Sequence, residues 1–380
     1  MRTDFLISKK NAAEKLIESG QSPWLDNISR CIIDSGELAA LVKNSIITGI
    51  TSNPSIFEKS INSGKCGYPE MIREMSSKGL DTFSIYDAIT QKDIKDAAKI
   101  LFPVYLKTGG SDGFVSIEVP PDIASDTVSS VREAKRIFAS VASKNVLIKI
   151  PATKEGLPAI TELISNGVNV NVTLMFSLKH YTDASSAYIE GLNSAVKNGV
   201  DLKNIHSVAS VFVSRIDTFI DRQLDGLAKN ETGSRKKSLI NLKGKAAVAN
   251  SKIIFKKHLE IINGERFKTF KSLGANIQKP LWASTSTKNP DYYDLKYVEP
   301  LIGKNTINTL PDVTLEALCD HGLLKADTIF MDLDAAEKTI KELSYYGINL
   351  DNVGETLQEQ GVKAFEDSYE KLLCSIKNVK

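Results

Sequence analysis

One lysine stands in the middle of a strongly apolar segment, "NVLIKIPAT", which spans residues 145–153. A strand of this composition is typical of a parallel sheet covered on both faces, where an unpaired ammonium group is costly to bury. Desolvation disfavours the charged form of an amine, so a buried lysine is suited to attack a carbonyl carbon and form a Schiff base. Lys149 is therefore the first candidate for chemistry in this chain.

Neighbouring segments supply an acid, amides and a hydroxyl at alternate positions. The acid in "VSIEV" is Glu118, and the polar residues in "VNVNVT" are Asn169, Asn171 and Thr173. Alternate residues of a strand share a face, so these side chains lie opposite the valines and isoleucines of the same segments. In a barrel the polar face would point to the axis, which structural barrels fill mainly with branched apolar residues. The pattern predicts a polar pocket inside a barrel.

Two explanations of the lysine follow. Lys149 could form a buried ion pair with Glu118 that stabilises the barrel, but desolvation can cancel such stabilisation, and the pair leaves Asn171 and Thr173 unexplained. Alternatively, Lys149 is a nucleophile, Glu118 transfers protons, and Thr173 positions a water molecule between them. The second explanation accounts for more of the polar face and is the working hypothesis.

Eight short apolar segments are predicted to be strands, and helical patterns lie between them. The eight are residues 24–28, 47–52, 114–119, 146–151, 168–176, 206–214, 280–285 and 307–311. No GxGxxG motif follows the first of them. The alternation therefore favours an α/β fold, a (β/α)8 (TIM) barrel, over an open doubly wound sheet.

Further helical stretches are predicted outside the eight repeats. Helical insertions are expected at about residues 59–112 and 216–263, and a closing helical segment at 335–377. No internal repeat and no convincing linker interrupts the chain. Residues 1–380 are therefore predicted to form a single domain.

The composition is that of an ordinary globular protein, with 42% hydrophobic and 25% charged residues and a net charge of +2 over 380 residues. This mild charge argues against nucleic-acid and membrane partners, and the basic run at 233–238 is expected to be a solvated helix start or loop. No segment reaches the roughly 18 apolar residues of a membrane span, and no leader is evident. We expect a soluble, cytoplasmic protein.

The cysteines and histidines show no ligand spacing. No CxxC pair occurs, so reduced, buried thiols are expected in place of disulfides or zinc ligands at Cys31, Cys66, Cys319 and Cys374. The four histidines are isolated, without HExxH or a similar pair. A metal site is not expected.

Two long segments resemble signatures of the transaldolase family, in particular of its longer bacterial form. "GITSNPSIFEKSI" (49–61) is similar to the amino-terminal signature, and "NVLIKIPATKEGLPAI" (145–160) resembles the active-site lysine signature. Six further blocks resemble family segments in the expected order: "GQSPWLDNISR", "VSIEV", "NVNVTLMFSLKHY", "VASVFVSRIDTFID", "GKAAVANSK" and "PLWASTSTKNP". The resemblance runs from about residue 20 to the carboxyl terminus.

The resemblance implies a class I mechanism without a cofactor, in which a dihydroxyacetone unit moves between sugar phosphates of the non-oxidative pentose phosphate pathway. Sedoheptulose 7-phosphate or fructose 6-phosphate would donate the dihydroxyacetone unit, and glyceraldehyde 3-phosphate or erythrose 4-phosphate would accept it. Lys149 would attack the ketose carbonyl, and the iminium would stabilise the carbanion left when the C3–C4 bond breaks. By family position Asp26 would take the proton of the C4 hydroxyl. Glu118, with a water molecule held by Thr173, would serve the dehydration and hydrolysis of the Schiff base.

Five further positions match substrate-binding residues of the family. Asn53 and Asn171 match amides that hydrogen-bond the three-carbon unit, and Ser210 matches a serine that lines its site. Arg215 and Ser284 match phosphate-binding positions, since an arginine fork suits a phosphate group. The expected partners are thus small sugar phosphates, and the oligomeric state is left open.

Simpler explanations exist for two of these residues, and the phosphate site departs from the family pattern. Asn53 could be a turn residue before a proline, and Arg215 could pair with Asp217 or Asp221 at the surface. Many short-form relatives carry an arginine where this chain has Ser286. Lys288 would then supply that charge from a neighbouring position.

Two other functions compete with transaldol transfer. A fructose 6-phosphate aldolase of the same superfamily would release free dihydroxyacetone, but those relatives are shorter and tend to have Gln and Tyr where this chain has Glu118 and Phe212. A catalytically inactive sugar-phosphate sensor is the other, and intact Lys149, Glu118 and Asp26 argue against it.

Overall fold

A computed structural model describes residues 2–379 and shows eight parallel strands that close into a barrel in chain order. The strands are β1 (Gln21–Leu25), β2 (Gly49–Thr51), β3 (Val115–Glu118), β4 (Val146–Pro151), β5 (Val170–Met175), β6 (Ser207–Phe212), β7 (Lys279–Ala283) and β8 (Thr306–Leu310). β8 pairs with β1 and completes the ring. The predicted (β/α)8 barrel is confirmed.

Seventeen α-helices surround the barrel within residues 2–379. They are α1 (Arg2–Ser8), α2 (Asn11–Glu18), α3 (Arg30–Asp34), α4 (Glu37–Lys43), α5 (Pro54–Asn62), α6 (Tyr68–Ser77), α7 (Thr82–Lys107), α8 (Thr127–Val141), α9 (Gly156–Ser165), α10 (Leu178–Lys197), α11 (Ser214–Ala228), α12 (Gly233–Leu242), α13 (Ala246–Asn263), α14 (Glu265–Ser272), α15 (Asp312–His321), α16 (Leu333–Tyr345) and α17 (Leu350–Val379). Four short 3₁₀ helices lie at Pro121–Ile123, Leu202–Asn204, Glu299–Leu301 and Thr328–Phe330.

Helices occupy the stretches where the sequence predicts insertions. α5, α6 and α7 lie between β2 and β3, and α11 to α14 lie between β6 and β7. The basic run 233–238 forms the exposed start of α12, as expected. That all of 1–380 forms one domain stays a prediction.

Every residue of β3, β4, β5 and β6 is buried, because helices cover the outside of the barrel and side chains fill the inside. This explains why the outward positions of these strands are apolar, with Ser207 at the start of β6 as the exception. In the parallel register Glu118 lies beside Lys149, and Lys149 lies beside Asn171. The register thus brings the polar residues of three strands to neighbouring positions on the inside.

The first strand begins and ends three residues earlier than predicted. β1 pairs with β8 from Gln21 to Leu25, whereas the apolar pattern suggested residues 24–28. Pro23 obscured its start, because proline lacks an amide hydrogen and is rare inside sheets. The carbonyl oxygen of Pro23 accepts a hydrogen bond from the Thr48 amide. The missing amide hydrogen of Pro23 is tolerated because β2 begins only at Gly49, so no ladder bond from residue 23 is required. As a result Asp26 lies just beyond the strand.

Trp24 lies below the inward-facing polar residues, toward the amino-terminal end of the barrel. It is buried and has the same inward parity as Asp26, two residues later. Its indole ring occupies the space beside Gly49, where a Cβ atom would overlap it. The indole Nε1 donates a hydrogen bond of 2.8 Å to Asp112 Oδ1.

The prediction of four reduced, buried cysteines is wrong for three of them. Cys31 of α3 and Cys66, before α6, form a disulfide with their Cα atoms 4.9 Å apart. Their sequence separation of 35 gave no spacing signal, because the packing of the helices after β1 and β2 brings the two cysteines together. Cys374 is exposed on α17, and Cys319 is a buried free thiol as expected.

A helix that crosses a membrane must be both long and apolar. Within residues 2–379, no helix meets both requirements.

Candidate active site

A cavity of about 290 Å³ opens at the carboxyl-terminal ends of the strands. Seven of the nine predicted site residues line it: Asp26, Asn53, Lys149, Thr173, Ser210, Arg215 and Ser284. Glu118 and Asn171 lie directly behind this wall and hydrogen-bond to residues in it. All nine therefore lie in or next to one pocket, at the end of the barrel where TIM-barrel enzymes place their chemistry.

The ammonium group of Lys149 is held by two neighbours and faces the cavity. Nζ donates to Glu118 Oε2 at 3.1 Å and to the backbone oxygen of Ser52 at 2.9 Å. Only 4% of the lysine is exposed. The ion pair considered as a structural explanation thus exists, but it satisfies one of three donors of an amine that also lines the cavity.

Two carboxyl groups flank the lysine, and both have raised pKa values. Burial raises the pKa of Glu118, and the Lys149 charge and hydrogen bond oppose that shift. Burial likewise raises the pKa of Asp26, opposed by a hydrogen bond of 2.7 Å from Thr51 Oγ1 and by the charge of Lys149. Carboxyl groups whose pKa values move upward from their ordinary range are suited to exchange protons near neutral pH.

Thr173 presents its hydroxyl at a strained part of the barrel. The next residue, Leu174, has φ of +57°, and the pairing of β5 with β6 shifts register between Val172 and Met175. Such a backbone costs about 1–3 kcal/mol and is found where a site must aim a side chain. The buried Thr173 Oγ1 has no hydrogen-bond partner among residues 2–379. It is therefore free to bind a small polar molecule.

The two asparagines are used by the protein in different ways. Asn53 caps α5, because its Oδ1 accepts a bond of 2.9 Å from the Ile56 amide. Its side-chain nitrogen is left for the pocket. Asn171 is bonded on both atoms: Oδ1 accepts from Ser210 Oγ at 2.7 Å, and Nδ2 donates to Ser116 Oγ at 3.0 Å. Asn171 thereby orients Ser210, which lines the cavity.

Arg215 lies in the first turn of α11 and forms neither a hydrogen bond nor an ion pair through its side chain with any residue from 2 to 379. The guanidinium stacks over the Phe212 ring at 5.6 Å. An ion pair of Arg215 with Asp217 or Asp221 is excluded, because both carboxylates have other partners. Asp217 accepts hydrogen bonds from the Ala247 amide and the Tyr297 hydroxyl. Asp221 accepts hydrogen bonds from the Gly244 amide and the Tyr292 hydroxyl. Burial lowers the pKa of Arg215. An unpaired, partly desolvated guanidinium at a pocket is a binding site for an anion.

The other phosphate-site candidates cluster at the same edge. Ser284, with φ of +55°, has its hydroxyl 3.1 Å from that of Ser214. Lys288 Nζ donates to Ser286 Oγ at 2.8 Å, and both residues line the cavity. Burial lowers the pKa of Lys288, and the nearby positive charges of Arg215 and Lys59 lower it further. The edge therefore carries concentrated positive charge.

Several lining residues were not anticipated from the sequence. Lys59, Thr51, Thr309 and Phe365 all line the cavity. Lys59 and Thr51 lie within the amino-terminal signature, and the inward parity of Thr51 with Gly49 could have identified it. Phe365 comes from α17, and no local pattern connects it with the strands.

In the part of the chain from 2 to 379, no group of three or more His, Cys, Asp or Glu residues is arranged to hold a metal ion.

Comparisons with known proteins agree with this geometry. A model of the Transaldolase/Fructose-6-phosphate aldolase family matches residues 23–376. Transaldolase 1 of Streptomyces coelicolor is 42% identical over 365 residues, which cover 96% of this chain and 94% of that protein. A transaldolase of Trichodesmium erythraeum is 44% identical over 94% of both chains, and one of Thiobacillus denitrificans is 41% identical over 96% of this chain and 99% of its own. The chain belongs to the transaldolase/fructose-6-phosphate aldolase family.

Proposed function

We propose that this chain is a transaldolase that moves a dihydroxyacetone unit from a ketose phosphate to an aldose phosphate through a Schiff base on Lys149. Family membership and 41–44% identity to transaldolases over nearly the full length support the reaction. The single observation that carries the proposal is the placement of Nζ of Lys149, in the cavity and within 3.1 Å of a carboxylate.

The first step joins substrate and enzyme. The neutral Lys149 amine attacks the ketose carbonyl carbon, and the resulting carbinolamine loses its hydroxyl as water to give an iminium. Glu118 is within reach of the nitrogen and can take the proton that the amine gives up. Thr173 has a free buried hydroxyl with which to hold the water molecule that relays protons.

The second step breaks the carbon skeleton. Asp26 removes the proton of the C4 hydroxyl, the C3–C4 bond breaks, and its electron pair moves toward the iminium to form a neutral enamine. The leaving fragment departs as an aldose phosphate. The raised pKa of Asp26 suits it to hold this proton and return it when an acceptor aldehyde is attacked in the reverse sense.

The third step transfers the retained unit. The enamine carbon attacks the aldehyde carbon of the acceptor and forms the new C–C bond, and water then releases the ketose and restores the amine. Ser210 and Asn53 line the cavity and would hydrogen-bond the hydroxyls of the three-carbon unit. Arg215, Ser284 and the neighbouring Lys288 would hold the phosphate group of either sugar.

The aldolase and sensor alternatives are less favoured. Glu118 and Phe212 are retained where aldolase relatives tend to have Gln and Tyr, and the relatives compared above are transaldolases. A protein that only binds a sugar phosphate does not require a buried lysine beside two carboxyl groups, Asp26 and Glu118, whose pKa values are raised. We further infer a cytoplasmic location and sugar phosphates as the partners.

A coupled assay tests the proposal. Fructose 6-phosphate with erythrose 4-phosphate should yield glyceraldehyde 3-phosphate rapidly, and the yield should be small when erythrose 4-phosphate is omitted. Borohydride added with fructose 6-phosphate should attach one reduced dihydroxyacetone unit to the peptide of Lys149. Labelling of a different lysine, or Lys149→Ala activity equal to wild type, would refute the assignment.

A further inference from the structure

The carboxyl-terminal helix α17 reaches over the pocket. It runs for 30 residues and packs against α5, α7, α11 and β5. One of its residues, Phe365, lines the same cavity as Lys149, with the ring centroid 5.9 Å from Nζ. Phe365 is only 4% exposed. The helix therefore provides an aromatic wall of the cavity next to the reacting nitrogen.

Hydrogen bonds attach α17 to the strands that carry the chemistry. Gln358 Nε2 donates to the backbone oxygens of Ala152 and Leu174, each at 3.0 Å. Ala152 directly follows β4, and Leu174 directly follows Thr173 in β5. Gln358 is buried, so both bonds form away from solvent. The position of the helix is thus fixed relative to Lys149 and Thr173.

A glycine allows α17 to lie this close. A Cβ atom on Gly361 would come within 2.9 Å of Leu174 Cδ2, so the end of the Leu174 side chain would have to shift. Gly361 is one helical turn before Phe365, so the close approach and the aromatic wall lie on the same side of α17. On the next turn Ser368 Oγ lies 2.7 Å from Ser55 Oγ of α5.

We propose that Phe365 determines the fate of the three-carbon intermediate: its ring stabilises positive charge on the Lys149 nitrogen and keeps water from the enamine. The inference rests on the transaldolase mechanism proposed above. It adds a residue from outside the barrel, in a different element from Phe212, which stacks against Arg215.

The charge on the nitrogen explains the first effect. The iminium is positively charged and has lost the hydration of a free amine, and an aromatic face within about 6 Å attracts such a cation. Among residues 2–379, the Lys149 ammonium hydrogen-bonds only to Glu118 and to the Ser52 backbone oxygen. The Phe365 ring supplies attraction without accepting a proton.

The chemistry of release explains the second effect. Loss of the intermediate requires a proton on the enamine carbon, which regenerates an iminium. A water molecule must then add, so that its oxygen becomes the ketone oxygen of dihydroxyacetone and lysine leaves as the free amine. An apolar ring offers no proton and occupies the space that water needs. Capture by an aldehyde needs no proton on the enamine carbon, and water is required only afterwards, to release the new ketose from the iminium.

Two variants and one matched control separate these effects from simple packing. Phe365→Ala opens the wall, Phe365→Leu keeps an apolar side chain without a π face, and Leu372→Ala removes a fully buried side chain of α17 that does not line the cavity. For each, we would measure release of glyceraldehyde 3-phosphate from fructose 6-phosphate without acceptor, transfer to erythrose 4-phosphate, borohydride trapping rate and melting temperature.

Phe365→Ala should raise the ratio of release to transfer by about an order of magnitude, because a wall of the water-excluded site is lost. Phe365→Leu should slow trapping at Lys149 roughly threefold to tenfold, the scale of a desolvated cation–π contact. Leu372→Ala should lower the melting temperature and leave both quantities unchanged.

An unchanged ratio in Phe365→Ala that still transfers, or an equal change in Leu372→Ala, would overturn the inference. If Phe365→Ala does not fold, unchanged trapping in Phe365→Leu would overturn it. Wild-type protein that neither transfers nor is trapped at Lys149 would instead remove the mechanism on which the inference rests.

Discussion

Glu118 of β3 and Lys149 of β4 are paired positions in the strand register, and their charged atoms lie 3.1 Å apart. The backbone of the barrel therefore fixes the distance between the amine and its nearest proton acceptor. Neither side chain can move away without leaving a buried charge unpaired.

Glu118→Gln should keep a hydrogen-bond acceptor beside the amine and remove the proton acceptor. Formation and hydrolysis of the Schiff base should slow by about 10²–10⁴-fold, the usual contribution of a general acid–base group. The measurement is the rate of borohydride trapping with fructose 6-phosphate, with melting temperature as the control for folding. A folded variant that traps at the wild-type rate would mean that Glu118 is only a structural partner of Lys149.

Asp26→Asn should abolish C3–C4 cleavage and also stabilise the protein at pH 7. Burial raises the pKa of Asp26, so the folded state favours the protonated carboxyl more than the unfolded state does. Its contribution to stability is full below the ordinary aspartate pKa of about 3.9 and is lost as pH rises through the folded pKa. Denaturant unfolding of both proteins over this pH range should show a gain that shrinks on acidification. Parallel pH profiles would contradict the assigned shift.

Arg215→Ala should weaken binding of phosphorylated substrates by about 1.5–3 kcal/mol, the scale of a charge-assisted hydrogen bond. Unphosphorylated ketoses should be affected much less, because the guanidinium has no hydrogen-bond or ion-pair partner among residues 2–379 and only stacks on Phe212. The comparison is kcat/KM for fructose 6-phosphate and for fructose. Equal losses on the two substrates would assign Arg215 a structural role.

Lys288→Ala should raise KM for phosphorylated substrates, with a smaller effect than Arg215→Ala, because Lys288 is more exposed. Adding Ser286→Arg to that variant should restore affinity, since Lys288 Nζ and Ser286 Oγ are only 2.8 Å apart and either position can bring a cation to the same edge. Ser286→Ala in the same background is the control. No rescue by the arginine would show that the charge of Lys288 is not what the substrate needs.

Phe212→Tyr should raise the release of free dihydroxyacetone relative to transfer. Phe212 lines the cavity, and a hydroxyl on its ring could orient water or donate a proton to the enamine. We would compare glyceraldehyde 3-phosphate formed from fructose 6-phosphate with and without erythrose 4-phosphate. The same ratio in a folded, active variant would show that Phe212 does not control the partition.

The inward residues of the strands were predictable because their signal is local. Alternation within "VLIKI" and "VSIEV" predicted that Lys149 and Glu118 face the inside of the barrel. The parallel pairing of the two adjacent strands then places the two residues side by side. The hydrogen-bond partners within that layer were not predictable. Asn171 bonds to Ser210 and Ser116, which depends on side-chain orientation across three strands and not on alternation.

Contacts that depend on how the helices pack could not be predicted from local sequence patterns. Phe365 reaches the cavity because α17 folds back across the strand ends, and the Cys31–Cys66 disulfide depends on how α3 and α6 are placed. Neither segment carries a periodicity that specifies its partner. The start of β1 was missed for a local reason, since the apolar pattern begins only after Pro23, whereas the pairing with β8 begins at Gln21.

The position of Trp24 beside Gly49 has a consequence for the order of events in a catalytic cycle. The cavity beneath the indole, lined by Phe114, His206 and Lys279 among others, shares no residue with the one that contains Lys149. The cavity that contains Lys149 opens at the carboxyl-terminal ends of the strands. The first aldose phosphate must depart through it before the second can approach the enamine. On the mechanism proposed above, both aldoses would bind the same enamine form of the enzyme, and the cycle would be ping-pong.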